Sequence, residues 1–331
     1  MVEQRFRALR VKETADGSIQ QSVEEQALED LPPHEVLVRV AWSSLNYKDA
    51  LSATGHRGIT RRYPHTPGID GAGTVIAGFQ EGSEVIITGH DLGMNTFGGW
   101  AGYVRVPANW LVPLPNGLSL REAMIYGTAG FTAALAVTRL RQAGLPEGDE
   151  VLVTGASGGV GSVAVALLAK LGYRVIAVSG KGSSRDWLLS LGAAEVVGRE
   201  ALADDPSRPL FKGRWAGAVD TVGGTMLAAA LKGTRYGGAV AACGLAASPE
   251  LSLTVYPFIL RGVSLLGIDS VECPQGDRLT VWQNLAGMWR PAGLASLAIE
   301  VCLDDLPHYV AKILSGGIQG RVIVDPWRIN Q

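Results

Sequence analysis

The sequence predicts an α/β protein, a β-rich domain joined to a doubly wound parallel sheet, and three observations predict it. Residues 150–178 read as a strand, a glycine-dense turn, a helix and a second strand. From about 124 to 270 near-continuous apolar strands alternate with helices, which is how a parallel sheet covered on both faces is written. Before that, residues 1 to about 123 hold short strands cut by Gly, Pro, Asn and Asp turns, the spacing of a small antiparallel barrel.

In the first segment, Arg5–Val11, Glu35–Trp42, Gly73–Ala77, Glu84–Thr88 and Tyr103–Val106 read as strands. Pro113, Pro115 and Asn116-Gly117 punctuate its end, and Ser119-Leu-Arg-Glu122 has the form of a capping box opening a helix. Val151–Thr154 is then a short buried strand, Val163–Gly172 a helix closed by its glycine, and Arg174–Val178 the next strand. Glu195–Val197, Ala218–Thr221, Gly238–Cys243 and Ser264–Ile268 continue the sheet. Residues 271–331 lose the alternation: Thr280–Trp289 and Asp304–Ser315 read as helices and Arg321–Asp325 as a last strand. With no partner unit of its own, this tail is expected to return to the first domain, giving segments 1–123, 124–270 and 271–331.

At 331 residues, 47% hydrophobic and 18% charged, the chain can build about two cores and is not disordered. A net charge of −2 offers no attraction for nucleic acid. The stretch Met1–Arg7 has no apolar signal-peptide core and no run reaches membrane-span length, so a cytoplasmic protein is expected. Cys243, Cys273 and Cys302 lie far apart, which suits a reducing compartment. The five histidines are scattered, and His56 with His65 reads as surface rather than as a metal site.

The glycines after the first parallel strand carry the chemistry. Without Cβ atoms at Gly158, Gly159 and Gly161 the backbone can touch a pyrophosphate, and the N–H groups at the helix start point at the anion. Ser157, Gly158, Gly159 and Val160 are therefore cofactor-binding candidates, although Ala156 stands where the usual fingerprint has its first glycine. The alternative is a strand-to-helix turn that holds no ligand. Sites for NAD place a carboxylate at the end of the second strand, against the ribose hydroxyls. Here that place holds Ser179, Gly180 and Lys181, with Arg185 shortly after, a set able to bind a 2′-phosphate. NADPH is the expected cofactor; the alternative is a solvated basic loop.

Longer motifs point to a family. Trp42–Asp49, Pro67–Val75, Gly127–Ala133, Thr154–Gly161, Val178–Gly180, Trp215–Gly223, Ala241–Leu245, Pro257–Arg261 and Ile318–Arg321 span nearly the whole chain. They closely resemble the zinc-independent medium-chain dehydrogenase/reductases of the acrylyl-CoA reductase (YhdH/AcuI) type, whose members are often labelled quinone oxidoreductases. The resemblance implies a GroES-like catalytic domain and a Rossmann domain. It also implies Arg199 as a further phosphate clamp, although the family usually has Arg where this chain has Lys181. It sets Tyr47 against the nicotinamide, and Thr128, Leu245, Ile259 and Ser270 on the cofactor. Zinc-dependent relatives carry a cysteine in the first domain and a Gly-His-Glu triplet; here the first 242 residues lack cysteine and the triplet reads Gly68-Ile69-Asp70. No zinc site of that form can be built.

Hydride transfer needs little beyond holding two carbons close and excluding water, so a missing acid–base constellation is no objection. The cleft is expected between the domains. Asn46 and Tyr47 are candidate donors to a thioester oxygen as charge develops there; alternatively Asn46 is a turn residue and Tyr47 a core residue. His56-Arg57 and Arg61-Arg62 are candidate clamps for CoA phosphates, as are Arg261 and Arg321, against the reading of arginines as solvated surface.

The expected function is NADPH-dependent reduction of the C=C bond of a short 2-enoyl-CoA. Reduction of a quinone or another α,β-unsaturated carbonyl is the alternative, and a nucleotide-binding protein without turnover is a third. The edge strand Ser264–Ile268 is expected to pair with its copy in a homodimer.

Overall fold

In a computed structural model describing residues 5–203, 205 and 207–329, β1 (Arg5–Glu13) and β2 (Ile19–Ala27) form an antiparallel ribbon. Met1–Gln4, part of the stretch read for a signal peptide, lie outside the described residues. Next come β3 (Val36–Leu45), α1 (Tyr47–Ala53), β4 (Asp70–Ala77), β5 (Glu84–Thr88), β6 (Tyr103–Val106), β7 (Val112–Pro113) and α2 (Leu120–Gln142). The parallel region holds β8 (Glu150–Val153), α3 (Gly159–Lys170), β9 (Arg174–Val178), α4 (Arg185–Ser190), β10 (Glu195–Val197) and β11 (Trp215–Asp220). It continues through α5 (Gly224–Gly233), β12 (Thr234–Ala242), α6 (Tyr256–Arg261) and β13 (Ser264–Gly267). The tail supplies α7 (Gln275–Ala286), β14 (Ala298–Cys302), α8 (Leu306–Leu314) and β15 (Arg321–Asp325).

Two compact units result: Met1–Thr128 with Val271–Ala286 and Gly293–Gln331, and Ala129–Ser270 with Gly287–Ala292. In the first, a sheet runs β14-β15-β3-β4-β5-β7, with β6 also on β3. The last strand of the chain thus lies beside β3, antiparallel, and it pairs in parallel with β14. Trp100, Leu45, Ala50 and Ala53 share one core cluster with Leu306, Val310, Val322 and Val324, which seats α1 against the returning tail.

In the second unit the order is β10-β9-β8-β11-β12-β13, every pair parallel. Strand order reverses between β8 and β11, the point where doubly wound sheets open a crevice at the carboxyl ends of their strands.

Four elements were not expected from the sequence: β2, α1, the two-residue β7 and β14. The polar strand β2 shows no apolar alternation because it is held by nine paired residues of β1 rather than by burial. Helix α1 has seven residues, too few for periodicity to register. Helix α7 starts at Gln275 and stops at Ala286, so it leads the expected Thr280–Trp289. The capping box is present: Ser119 N and Oγ both bond Glu122 Oε2, and Glu122 N bonds Ser119 Oγ.

Candidate active site

In the second unit the site begins where β8 and β11 end. Thr154 Oγ1 donates to Asp220 Oδ1 at 2.6 Å, Gly223 N donates to Asp220 Oδ2 at 2.8 Å, and Thr221 Oγ1 donates to the Thr154 carbonyl at 3.0 Å. Burial pushes the Asp220 carboxyl up from the usual range. The same surroundings push the Cys243 thiol up to about 12, while it donates to the Asp220 carbonyl. These bonds lock the two strand ends that flank the crevice.

The chain leaves β8 through Gly155, whose φ of +59° suits glycine. Gly161 has no room for a side chain, because a Cβ there would stand 2.8 Å from the Gly155 carbonyl carbon. Helix α3 therefore packs directly on the turn. Its N-cap is Gly158, with no side-chain cap, so the first N–H groups of the helix are left for an anion.

Ser179 follows β9, is buried, donates its hydroxyl to Ser157 Oγ at 3.1 Å and accepts Lys181 N at 3.1 Å. A Cβ on Gly180 would stand 2.7 Å from Cζ of Arg199, so that guanidinium lies on the glycine. Ser179, Gly180, the Lys181 backbone and the Arg199 guanidinium thus meet at the strand end, and residues 179–182 include no acid. Arg185 turns instead to the Val196 carbonyl at 2.8 Å. Leu245 and Ile259 are 63% and 68% exposed.

In the first unit a buried polar cluster stands at the ends of β3, β4 and β15. Asp70, fully buried, accepts Ser44 Oγ at 2.5 Å, Asn46 Nδ2 at 2.8 Å, Thr128 N at 2.9 and 3.0 Å, and Thr128 Oγ1 at 2.6 Å. Arg321 lies 3.9 Å from it and donates to the carbonyls of Ile125 and Leu45, to Asn46 Oδ1 and to Ser44 Oγ. Asp49, also fully buried, accepts the N–H groups of Asn46, Gly68 and Ile69. Burial, with Asp70 adding to it, pushes the Asp49 carboxyl up to about 7. Burial likewise lowers the Arg321 guanidinium from its ordinary value.

This geometry changes several sequence expectations. Asn46 is not available as a donor to a substrate: its amide hydrogens go to Asp70 and Ser44. Tyr47 is not a core residue; it is 46% exposed at the start of α1. Arg321 and Arg261 are not phosphate clamps of the surface. The first is 3% exposed, and the second serves the carbonyls of Lys232, Thr234 and Phe211. Arg57 pairs with Glu13 and packs on Tyr63, whereas exposed Arg61 and Arg62 form no ion pair among the described residues.

Asp70, Ser44 and Asp49 were missed as a functional group. The signal available was a charge inside each of two apolar strand ends, Ile69-Asp70 and Arg321-Val322.

A reversed-order parallel sheet with a glycine turn at its switch point, in a chain that also holds a β-rich unit completed by the tail, is the architecture of a dinucleotide-dependent oxidoreductase. The zinc-binding dehydrogenase family matches residues 159–286 and the alcohol dehydrogenase GroES-like domain matches residues 32–116. The chain belongs to the medium-chain dehydrogenase/reductase family, in the group that includes the acrylyl-CoA reductases of the YhdH/AcuI type. It is 49% identical to acrylyl-CoA reductase AcuI of Ruegeria pomeroyi, over 97% of this chain and 99% of that protein. It is 50% identical to Bacillus subtilis YhfP, named a putative quinone oxidoreductase, over 96% of this chain and 98% of that one. The YhfP structure with NAD bound superimposes with a TM-score of 0.94, covering 98% of this chain and all of that one. The Salmonella enterica yhdH oxidoreductase in complex with NADP gives 0.93 at 50% identity, covering 96% of this chain and 99% of that one.

Among the described residues no three His, Cys, Asp or Glu side chains converge, and the Asp70 oxygens are taken by Ser44, Asn46 and Thr128.

Proposed function

We propose that this oxidoreductase reduces the C=C bond of a short 2-enoyl-CoA, with NADPH as reductant and without zinc. The observation that carries the cofactor choice is the end of β9, where Ser179, Gly180 and Lys181 include no acid and the Arg199 guanidinium lies on Gly180. A 2′-phosphate there meets a hydroxyl and two cations instead of a repelling acid. The substrate choice rests on the 49% identity to AcuI over 97% of the chain. The second unit is read as the dinucleotide domain and the first as the substrate domain.

When bound, NADPH supplies a hydride to the β-carbon of the enoyl thioester, and a proton added at the α-carbon completes the reduction. The chain's own contribution is binding and orientation. Ser157, Gly158, Gly159 and Val160 present amides to the diphosphate, while Leu245, Ile259, Ser270, Thr128 and Tyr47 line the cofactor. The Tyr47 hydroxyl donates to the thioester oxygen as negative charge collects there. Asn46 holds its place in the Asp70 cluster and does not touch the substrate. Arg61 and Arg62 meet the CoA phosphates.

A quinone or other α,β-unsaturated carbonyl is the second reading, favoured by the 50% identity to YhfP. Following NADPH oxidation with acrylyl-CoA, crotonyl-CoA and a benzoquinone separates the two. Turnover of the thioesters at least tenfold above that of the quinone is expected; quinone turnover alone overturns the CoA reading.

We further assign a homodimer through the edge strand β13, where Leu265 is exposed, and a cytoplasmic location. Among the described residues no helix is long and apolar enough to cross a membrane. A monomer mass at micromolar concentration in native mass spectrometry overturns the dimer.

A further inference from the structure

We propose that Asp70 is a positioning residue for hydride transfer, setting Thr128 and the start of α1 in one frame, with Arg321 as its counter-charge. This deepens the reductase reading and rests on it, because that reading puts Thr128 and Tyr47 on the cofactor.

Asp70 is fully buried, so it neither touches substrate nor exchanges a proton with it. Its carboxylate instead collects donors from three separate segments: Ser44 at the end of β3, Asn46 at the N-cap of α1, and Thr128 in α2. The last of these is available because α2 breaks at Gly127, which has φ +49° and ψ −156°. The break frees the Thr128 N–H from the helix and aims it at Asp70. A side chain at 127 has no room, since its Cβ would stand 2.9 Å from Arg321 Nη2 and 3.0 Å from Ser44 Oγ. Arg321, entering from the start of β15, closes the cluster through Asn46 Oδ1 and Ser44 Oγ.

Apolar residues could join these strand ends at no desolvation cost, so a buried ion pair is a poor device for stability alone. What it supplies is direction. The carboxylate fixes the Thr128 hydroxyl and the Asn46 amide, and Asn46 precedes Tyr47 directly. A small misplacement of such groups is enough to slow a reaction about 100-fold.

The test uses the full chain carrying Asp70→Asn, with 2′,5′-ADP as a probe of the adenosine half of the cofactor site, which lies in the other unit. Unchanged 2′,5′-ADP affinity with kcat lowered between about 10- and 100-fold, at unchanged KM for the enoyl-CoA, is the expected result. A lower Tm with kcat intact makes Asp70 merely structural and overturns the proposal. Should Asp70→Asn not fold, Ser44→Ala decides, because Ser44 donates to Asp70 and is not placed on cofactor or substrate. A kcat at least about tenfold below wild type at unchanged 2′,5′-ADP affinity is expected. Wild-type kcat in that variant overturns the proposal. Wild-type protein that binds no 2′,5′-ADP and oxidises no NADPH overturns the reductase reading itself, and the proposal with it.

Discussion

The guanidinium of Arg199 rests on Gly180, where a methyl group would stand 2.7 Å from its central carbon and 3.0 Å from Nη2. Glycine at 180 is therefore what allows the cation to reach the end of β9. Gly180→Ala is expected to leave the fold intact, because a flexible side-chain end can swing away. KM for NADPH should rise about tenfold, the value of one charge-assisted hydrogen bond, while KM for NADH stays put. Steady-state kinetics with both cofactors checks it, and equal changes for the two remove Arg199 from the 2′-phosphate.

Two buried groups oppose each other in acid. Asp49 titrates in the fold at about 7 against an ordinary 3.8, so the folded state holds the extra proton and stability falls as pH rises between those values. His65, whose Nε2–H donates to the Gly93 carbonyl, is lowered by burial to about 4 from 6.5. Its contribution is present above 6.5 and is lost as pH falls to 4. Each acts with a slope of up to about 1.4 kcal/mol per pH unit, in opposite directions. Asp49→Asn should therefore unmask His65: relative to wild type, the variant loses Tm steadily from pH 6.5 to 4. A difference independent of pH in thermal melts contradicts this.

Tyr47 is 46% exposed and directly follows Asn46 of the Asp70 cluster. Tyr47→Phe is expected to lower kcat for acrylyl-CoA about 10- to 100-fold with little change in Tm, since an exposed hydroxyl contributes little to folding. Single-turnover NADPH oxidation reads it directly. Wild-type turnover in the variant takes the hydroxyl out of the reaction.

Arg61 and Arg62 are exposed and form no ion pair among the described residues, whereas neighbouring Arg57 is engaged by Glu13. Replacing both with Ala should raise KM for a CoA thioester about tenfold, and less at high salt, because exposed charge–phosphate contacts are screened. KM for a benzoquinone should not move. Parallel rises for both acceptors contradict the clamp.

Gly161 abuts the carbonyl of Gly155, part of the backbone and unable to swing aside. Gly161→Ala should cost about 1–3 kcal/mol, the usual range for overpacking, and weaken NADPH binding at the same time. Urea unfolding and NADPH fluorescence titration measure the two effects. An unshifted urea midpoint contradicts the close approach.

The features legible along the chain are local ones. The alternation of apolar strands with helices, the glycine turn after Val153 and the missing acid after Val178 are all written within a few residues of where they act. Periodicity and turn chemistry read them directly, and the strands at Glu84–Thr88, Tyr103–Val106 and Arg321–Asp325 have the bounds the pattern predicts. Tertiary structure alone decided which polar groups are spent. Asn46 looks like a free donor until Asp70 takes its amide hydrogen, and Arg321 looks like a surface cation until β15 docks beside β3 and buries it. Hydrogen-bond partners are chosen by proximity in space. Ser44, Asn46, Asp70, Thr128 and Arg321 become neighbours only when strands distant in sequence pair, so their shared role exists in the fold and in no single stretch of the chain.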